Sequence, residues 1–193
     1  MSDTFFTILY FVFVFAASII RGVYSKQFKQ NREYTDKLDK FLTILPVFGM
    51  FIFPLIYALT SWLDFANYQL PGWAGWFGAA IFALSLWVLW RSHADLGRQW
   101  SVKVEIQEEH KLVTDGIFKH IRHPMYAAHI LWGIAQALLL WNWIAGLSML
   151  VMIFPLYFYR VPKEEMMMVD EFGDEYRHYM DRTGRVFPKL GRA

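Results

Sequence analysis

The sequence predicts an all-α integral membrane protein forming one domain. It has five transmembrane helices, the last two a short helical hairpin, with a cytoplasmic cap segment and a C-terminal amphipathic helix. Three observations carry this expectation. Of 193 residues, 56% are hydrophobic and 19% aromatic, and a mean hydropathy of +0.25 is high for a soluble domain. Uncharged runs cover Phe5–Ile20, Phe41–Leu63, Phe65–Trp90 and Tyr126–Tyr159, and a membrane-crossing helix needs about 20 mostly apolar residues. All 19 Lys and Arg fall within Arg21–Lys40, Arg91–Arg122 or Arg160–Arg192. The positive-inside rule then places these segments in the cytoplasm and the N-terminus outside, and an odd number of spans fits that alternation.

The first span, residues 5–21, is rich in Phe and lacks the basic leader and small-residue cleavage site of a signal peptide. Arg21–Lys40 reads as a solvated linker of mixed charge. In the second span, residues 41–63, Pro46 and Pro54 predict kinks; membrane helices tolerate such prolines, and a functional reading would make them gates. The third span, 73–91, carries Gly75, Ala79 and Ala83 every fourth residue, a small face for close packing within the bundle or in a dimer. Trp73, Trp76, Trp87 and Trp90 suit its interfaces with water. The last run has 34 residues, about 51 Å of helix against about 60 Å for two full crossings. Trp141-Asn142-Trp143 in its middle marks a tight turn between short spans at 124–141 and 143–160.

Residues 92–123 form a long polar segment punctuated by Gly97 and Gly116. Its Val102, Val104, Ile106, Leu112, Val113 and Ile117 are spaced too closely for a free coil, so an ordered cytoplasmic cap is expected. Pro162 marks a further helix start. Met166, Val169, Phe172, Tyr176 and Met180 recur at three- and four-residue spacing, so residues 162–182 read as an amphipathic helix with Lys163, Asp170, Asp174 and Arg177 on its wet side. Gly173 falls inside it, at a cost of about 1 kcal/mol relative to alanine.

Composition removes several chemistries. The chain has no cysteine, so disulfides, thiolate nucleophiles and Cys-type zinc sites are out of reach. A net charge of +2 gives nucleic-acid binding no electrostatic support. No strand leads into a G-x-G-x-x-G motif, so a Rossmann domain is not expected. His120 and His123 suggest a metal pair without a third ligand, and no metal is expected.

The polar chemistry gathers in His110–Tyr126. Arg122-His123-Pro124-Met125-Tyr126 opens a membrane helix: proline suits the first turn and pushes His123 out of helical geometry. A cation and an imidazole therefore stand beside the backbone donors of a helix N-terminus, a ready site for a carboxylate or phosphate. Arg160, at the end of the fifth span, can clamp a carboxylate bidentately or anchor the helix at the interface. Glu164 can hold a ligand cation or serve only the helix dipole, and Glu165 reads as a surface side chain or as support for its neighbour. Tyr126 can face the site or pack at the interface.

Several of these stretches carry a family resemblance. His110–Phe118 (HKLVTDGIF), Arg122–Tyr126 (RHPMY), Glu164-Glu165 and Glu171–Tyr179 (EFGDEYRHY), with Leu96–Ser101 (LGRQWS) ahead of them, resemble the isoprenylcysteine carboxyl methyltransferase family in order and spacing. The resemblance covers the C-terminal half, and its small number of spans suits a prokaryotic-type member in a cell membrane. It implies transfer of methyl from S-adenosylmethionine to the carboxylate of a membrane-embedded, isoprenylcysteine-like acceptor, leaving S-adenosylhomocysteine. The acceptor would be a lipid, a prenylated small molecule or a prenylated protein C-terminus reached from the bilayer. Carried over by motif, His110, Lys111, Leu112, Val113 and Phe118 would line the cofactor. His123, Pro124, Met125 and Tyr126 would hold its amino-acid end, and Glu164 its ammonium or ribose. Arg160, the candidate catalytic residue, would meet the acceptor carboxylate. Lys103 departs from the polar neutral residue of eukaryotic members.

The implied chemistry asks little of the protein. A free carboxyl titrates near 3.5, so at neutral pH it is already a nucleophile and needs placement and dryness, with no general base. Two other enzymes carry signatures like RHPMY. A phospholipid amine N-methyltransferase would need a base and would place a cation beside Arg160; an NADPH-dependent sterol-type reductase would differ in its cofactor. A lipid-binding scaffold without catalysis would keep the spans and depend on neither Arg160 nor Glu164.

Overall fold

The structure, a computed structural model, describes residues 2–25, 36–97 and 112–189. Helix α1 (Ser2–Ser25) is followed by α2 (Lys37–Val47), which runs through a π-helical turn at Phe48–Ile52 into α3 (Phe53–Leu59). Then come α4 (Gly72–Leu96), α5 (Pro124–Leu140), α6 (Trp143–Phe172) and α7 (Asp174–Arg182). Helix α5 packs between α4 and α6; α1 lies against α4 and α5, and α2 with its π turn lies against α6. Among the described residues four helical stretches are long and apolar enough to cross a membrane, Lys37–Leu59 counting as one, and α5 is a shorter apolar helix. Phe15, Trp73, Val151 and Phe158 are each more than half exposed, an apolar coat that belongs against lipid tails. The chain is an all-α membrane protein.

The second span shows how the chain pays for its prolines. Pro54 sits at the first turn of α3 and offers no N–H to the turn before it. The carbonyls this leaves in a region without water are taken by buried side chains from other helices. Tyr10 donates its hydroxyl to the Met50 carbonyl at 2.7 Å. Gln136 Nε2 and Ser148 Oγ donate to the Gly49 carbonyl at 2.9 and 2.8 Å. Gly49 is glycine because a Cβ there would stand 2.8 Å from the Ser148 carbonyl oxygen. The predicted kink is thus a π turn locked to α1, α5 and α6.

The turn at Trp141-Asn142-Trp143 is built as a cap. Trp141 takes a left-handed conformation with φ 47°, and the Asn142 side chain accepts from the Ile144 and Ala145 N–H groups at 3.0 and 2.9 Å. Its amide nitrogen donates to the Leu63 carbonyl and to Asn67, both at 2.7 Å. On α4, Gly75 lies directly against the Phe6 ring, so this end of the small-residue face serves packing within the bundle.

Two expectations need correction. Pro162 does not begin a helix: α6 continues through Pro155 and Pro162 to Phe172, because proline removes one backbone hydrogen bond without breaking a helix whose flanking turns are packed. Gly173, with φ 55°, is the break, since glycine alone takes that conformation without strain. The amphipathic stretch is therefore two helices. Tyr176 and Tyr179 of α7 turn inward at 3% exposure while Met166 is 65% exposed, so the single apolar stripe drawn through both does not exist. In the segment read as a solvated linker, α2 begins at Lys37, capped by Asp36, which accepts from the Asp39 N–H at 2.8 Å.

Candidate functional site

The mouth of α5 is set by three pieces of backbone. Gly116, at φ 60°, turns the chain beneath Asp95 of α4, whose carboxylate accepts from the Ile117 N–H at 2.8 Å. The following short turn buries Phe118, and the Tyr179 hydroxyl of α7 donates to the Phe118 carbonyl at 2.6 Å. Residues 121–123 then run extended beside the segment after α7. Arg122 N–H donates to the Gly184 carbonyl at 2.8 Å and His123 N–H to the Arg185 carbonyl at 2.9 Å. The residues before Pro124 are thus held by backbone pairing, with the C-terminal segment as a strap.

At the centre stands Glu165, 4% exposed. Its Oε1 accepts from Arg122 Nη2 at 2.9 Å and Nε at 3.1 Å and faces His123 Nε2 at 3.3 Å, and its Oε2 accepts from Arg185 Nη2 at 2.6 Å. Arg122 also donates from Nη1 to the Thr183 and Met180 carbonyls, so it ties α6, α7 and the strap together. The reading of Glu165 as a surface side chain does not hold; it is the hub of this end of the protein.

His123 stands between two carboxylates. Its Nδ1 is 3.4 Å from Glu164 Oε2 and its Nε2 is 3.3 Å from Glu165 Oε1. Burial works against its charge, but hydrogen bonds and charge from Glu164 and Glu165 together outweigh it and hold the pKa above the ordinary imidazole value. When protonated, the ring donates from both nitrogens, which suits His123 to hold and orient the two carboxylates. Glu164 accepts the Tyr126 hydroxyl at 2.9 Å, and the Tyr126 ring packs edge-on against both His123 and Tyr157. Glu164 keeps 24% of its side chain exposed.

One turn back along α6 lies Arg160, 8% exposed. It already holds a carboxylate of its own chain. Asp39 of α2 accepts from Nε at 2.5 Å and from Nη2 at 2.6 Å, and Thr43 Oγ1 accepts from Nη2 at 2.9 Å. Farther out on the same two helices, Asp36 accepts from Lys163 at 2.8 Å and from the Tyr159 hydroxyl at 2.6 Å.

The structure therefore brings His123, Pro124, Tyr126, Arg160 and Glu164 to one end of the α5–α6 pair, with Met125 half-buried in the same turn and Phe118 buried beneath it. Leu112 and Val113 are half-buried. His110, Lys111 and Lys103 lie outside the described residues, as do residues 98–111 of the expected cap. Sequence reasoning missed Arg185 and Asp39, and left Glu165 open between a surface side chain and support for its neighbour. For Asp39 a signal was available, since Asp36 and Asp39 together form the cap and first turn of a helix running into the second span. Among the described residues no three His, Asp or Glu side chains are grouped as a metal ion would require.

Residues 76–170, which hold α5, most of α4 and nearly all of α6, match the family model described as Isoprenylcysteine carboxyl methyltransferase (ICMT) family. The chain is similar to Protein-S-isoprenylcysteine O-methyltransferase B of Arabidopsis thaliana, 31% identical over 87 residues, 45% of this chain and 44% of that protein. It is 32% identical over 83 residues to Protein-S-isoprenylcysteine O-methyltransferase of Schizosaccharomyces pombe (43% and 35% of the two chains). With that of Homo sapiens it shares 34% identity over 90 residues (46% and 32%). The match spans less than half the length of each of these relatives.

Proposed function

We propose that this chain, whose residues 76–170 match the isoprenylcysteine carboxyl methyltransferase family, transfers a methyl group from S-adenosylmethionine to the carboxylate of an isoprenylcysteine-like acceptor drawn from the bilayer. The observation that carries the reading is the convergence of His123, Tyr126, Glu164 and Arg160 at the end of α5 and α6 that bears the basic segments. The site faces the cytoplasm, and the N-terminus lies outside, in the cell membrane of a prokaryote. The sorting of all 19 Lys and Arg to one side of the spans supports that orientation.

The residues present fit the cofactor. An ionised carboxylate offers about four acceptor positions, and Glu164 keeps part of its side chain exposed beyond Tyr126 and His123, which suits an ammonium or ribose hydroxyl. His123, held between Glu164 and Glu165, stands beside the place the cofactor's amino-acid end would take. Leu112, Val113, Phe118, Pro124 and Met125 would furnish apolar walls. The bound cofactor would supply an activated methyl group. An acceptor carboxylate, already ionised at neutral pH, would take that methyl without any proton having to move. The protein's task is to bring the two reactants into line and exclude water, and Arg160 gives the acceptor carboxylate its direction.

A phospholipid amine acceptor is disfavoured because its cation would meet the Arg160 guanidinium. Calorimetric binding of S-adenosylhomocysteine to detergent-purified protein tests the reading, with wild type beside Glu164→Ala and His123→Ala. Micromolar binding weakened in both variants is expected. A well-folded wild type that binds none would overturn the assignment.

A further inference from the structure

We propose that Arg21, flanked by His93 and His129, forms a binding site between α1, α4 and α5 for the phosphate of an anionic phospholipid headgroup. This site lies on the α1–α4 side of α5, whereas His123 and Glu164 meet where α5 and α6 come together. It does not depend on the methyl-transfer reading above.

Helix α1 has one inward stripe. Phe6, Tyr10, Val14 and Ala17 recur at three- and four-residue spacing, and each is at most 3% exposed. Arg21 and Tyr24 continue that spacing and are partly buried, while Ile19 and Val23 beside them are more than half exposed. A cation that only anchored the helix would stand on the exposed side and reach for water. Arg21 instead continues the stripe that packs against α4 and α5. The Tyr24 ring lies 5.4 Å from the ring of His93, near the end of α4. His93 and His129 of α5 both lie within electrostatic reach of Arg21. Basic side chains from three helices thus gather at the end of the bundle that bears the basic segments.

No described acid balances this guanidinium. Among the described residues Arg21 has no hydrogen bond and no ion pair. The three helices carry only Asp3, at the opposite end of α1, and Asp95. Asp95 is taken by Arg91 Nη2 at 2.7 Å and by the Ile117 N–H at 2.8 Å. An arginine cannot shed its proton, so one turned into a membrane bundle calls for an anion. Its planar fork matches two phosphate oxygens, and basic pockets between membrane helices on the cytoplasmic side take phosphate headgroups. His129 Nδ1 donates to the Met125 carbonyl at 2.6 Å, so the neutral ring offers Nε2 as an acceptor, which suits a headgroup hydroxyl beside the phosphate. The exposed Ile19 and Val23 leave an apolar track for acyl chains next to Arg21, which favours a lipid over free phosphate.

The test uses the full chain purified in detergent, with native mass spectrometry and thermal unfolding in phosphatidylglycerol, phosphatidylcholine or inorganic phosphate. Wild type is expected to keep a single phosphatidylglycerol in preference to phosphatidylcholine and to unfold at a higher temperature with it. Inorganic phosphate should change little. Arg21→Gln should weaken phosphatidylglycerol binding about tenfold or more, the worth of a charge-assisted hydrogen bond, and leave S-adenosylhomocysteine binding as it is. Arg177→Gln removes an exposed charge of the same sign and should leave both unchanged, which separates a site from general attraction to anionic lipid. If Arg21→Gln does not fold, Arg21→Lys, which keeps the charge and loses the fork, is expected to weaken phosphatidylglycerol binding about threefold. Wild-type affinity in a folded Arg21→Gln or, failing that, in Arg21→Lys would overturn the inference. An equal loss in Arg177→Gln, or equal binding of the two lipids by wild type, would do the same. Stabilisation by inorganic phosphate with none from phosphatidylglycerol would overturn the lipid assignment. Each of these failures leaves the methyl-transfer reading standing, since S-adenosylhomocysteine binding to wild type tests that reading by itself.

Discussion

Glu165 meets Arg122, His123 and Arg185, which arrive from the lip of α5 and from the strap after α7. Removing a buried carboxylate from such a set leaves uncompensated cations in a poorly hydrated place. Glu165→Gln is therefore expected to cost about 3–5 kcal/mol, visible as a lower unfolding temperature and weaker S-adenosylhomocysteine binding; an unchanged melting curve would mean the hub is ornamental. His123 makes stability depend on pH with a definite sign. Its folded pKa is raised above 6.5, so its contribution is complete below the ordinary imidazole value and is lost as pH rises through the higher folded value. Thermal unfolding followed from about pH 6 to pH 9 should show wild type losing stability over that window and His123→Gln showing no such loss. His123, Tyr126, Glu164 and Arg160 were legible in the sequence because each stands within a recognisable local pattern. The burial of Glu165 and Asp39 was not, because a carboxylate is buried only when its cations arrive, and those come from distant parts of the chain.

Among the elements, the second span shows how proline is accommodated where no water can help. Its π turn exposes the Gly49 and Met50 carbonyls, and Tyr10, Gln136 and Ser148 supply the missing donors. Gly49→Ala forces a methyl against the Ser148 backbone and is expected to cost about 1–3 kcal/mol by overpacking. Tyr10→Phe removes one donor to a buried carbonyl and should cost about 1–3 kcal/mol. Denaturation in detergent measures both, and a neutral Gly49→Ala would show that α2 can move away from α6 freely. Both prolines were visible in the sequence as kinks. That Pro162 would stay inside α6 and Gly173 would break it was not, since the outcome depends on how tightly the flanking turns are packed.

For the whole molecule, orientation is the property most directly open to experiment, because a chain without cysteine makes every introduced one unique. Phe65→Cys, in the loop before α4, should react with an impermeant maleimide from outside intact cells, and Lys119→Cys or Glu175→Cys only after permeabilisation. The opposite pattern would invert the topology and move the site to the outer face. The sequence by itself determined the membrane class, the number and order of apolar runs, and the sorting of cations to one side, because these follow from transfer free energy and charge summed along the chain. It also marked the α5 mouth through RHPMY and the paired glutamates. Tertiary structure alone decided which charge meets which: that Arg160 would be held by Asp39, that Glu165 would sit beneath His123, and that Gly184 and Arg185 would return to strap the mouth of α5. Those pairings depend on where distant helices cross, and partner choice in a low-dielectric interior is set by proximity in space, which no local pattern encodes.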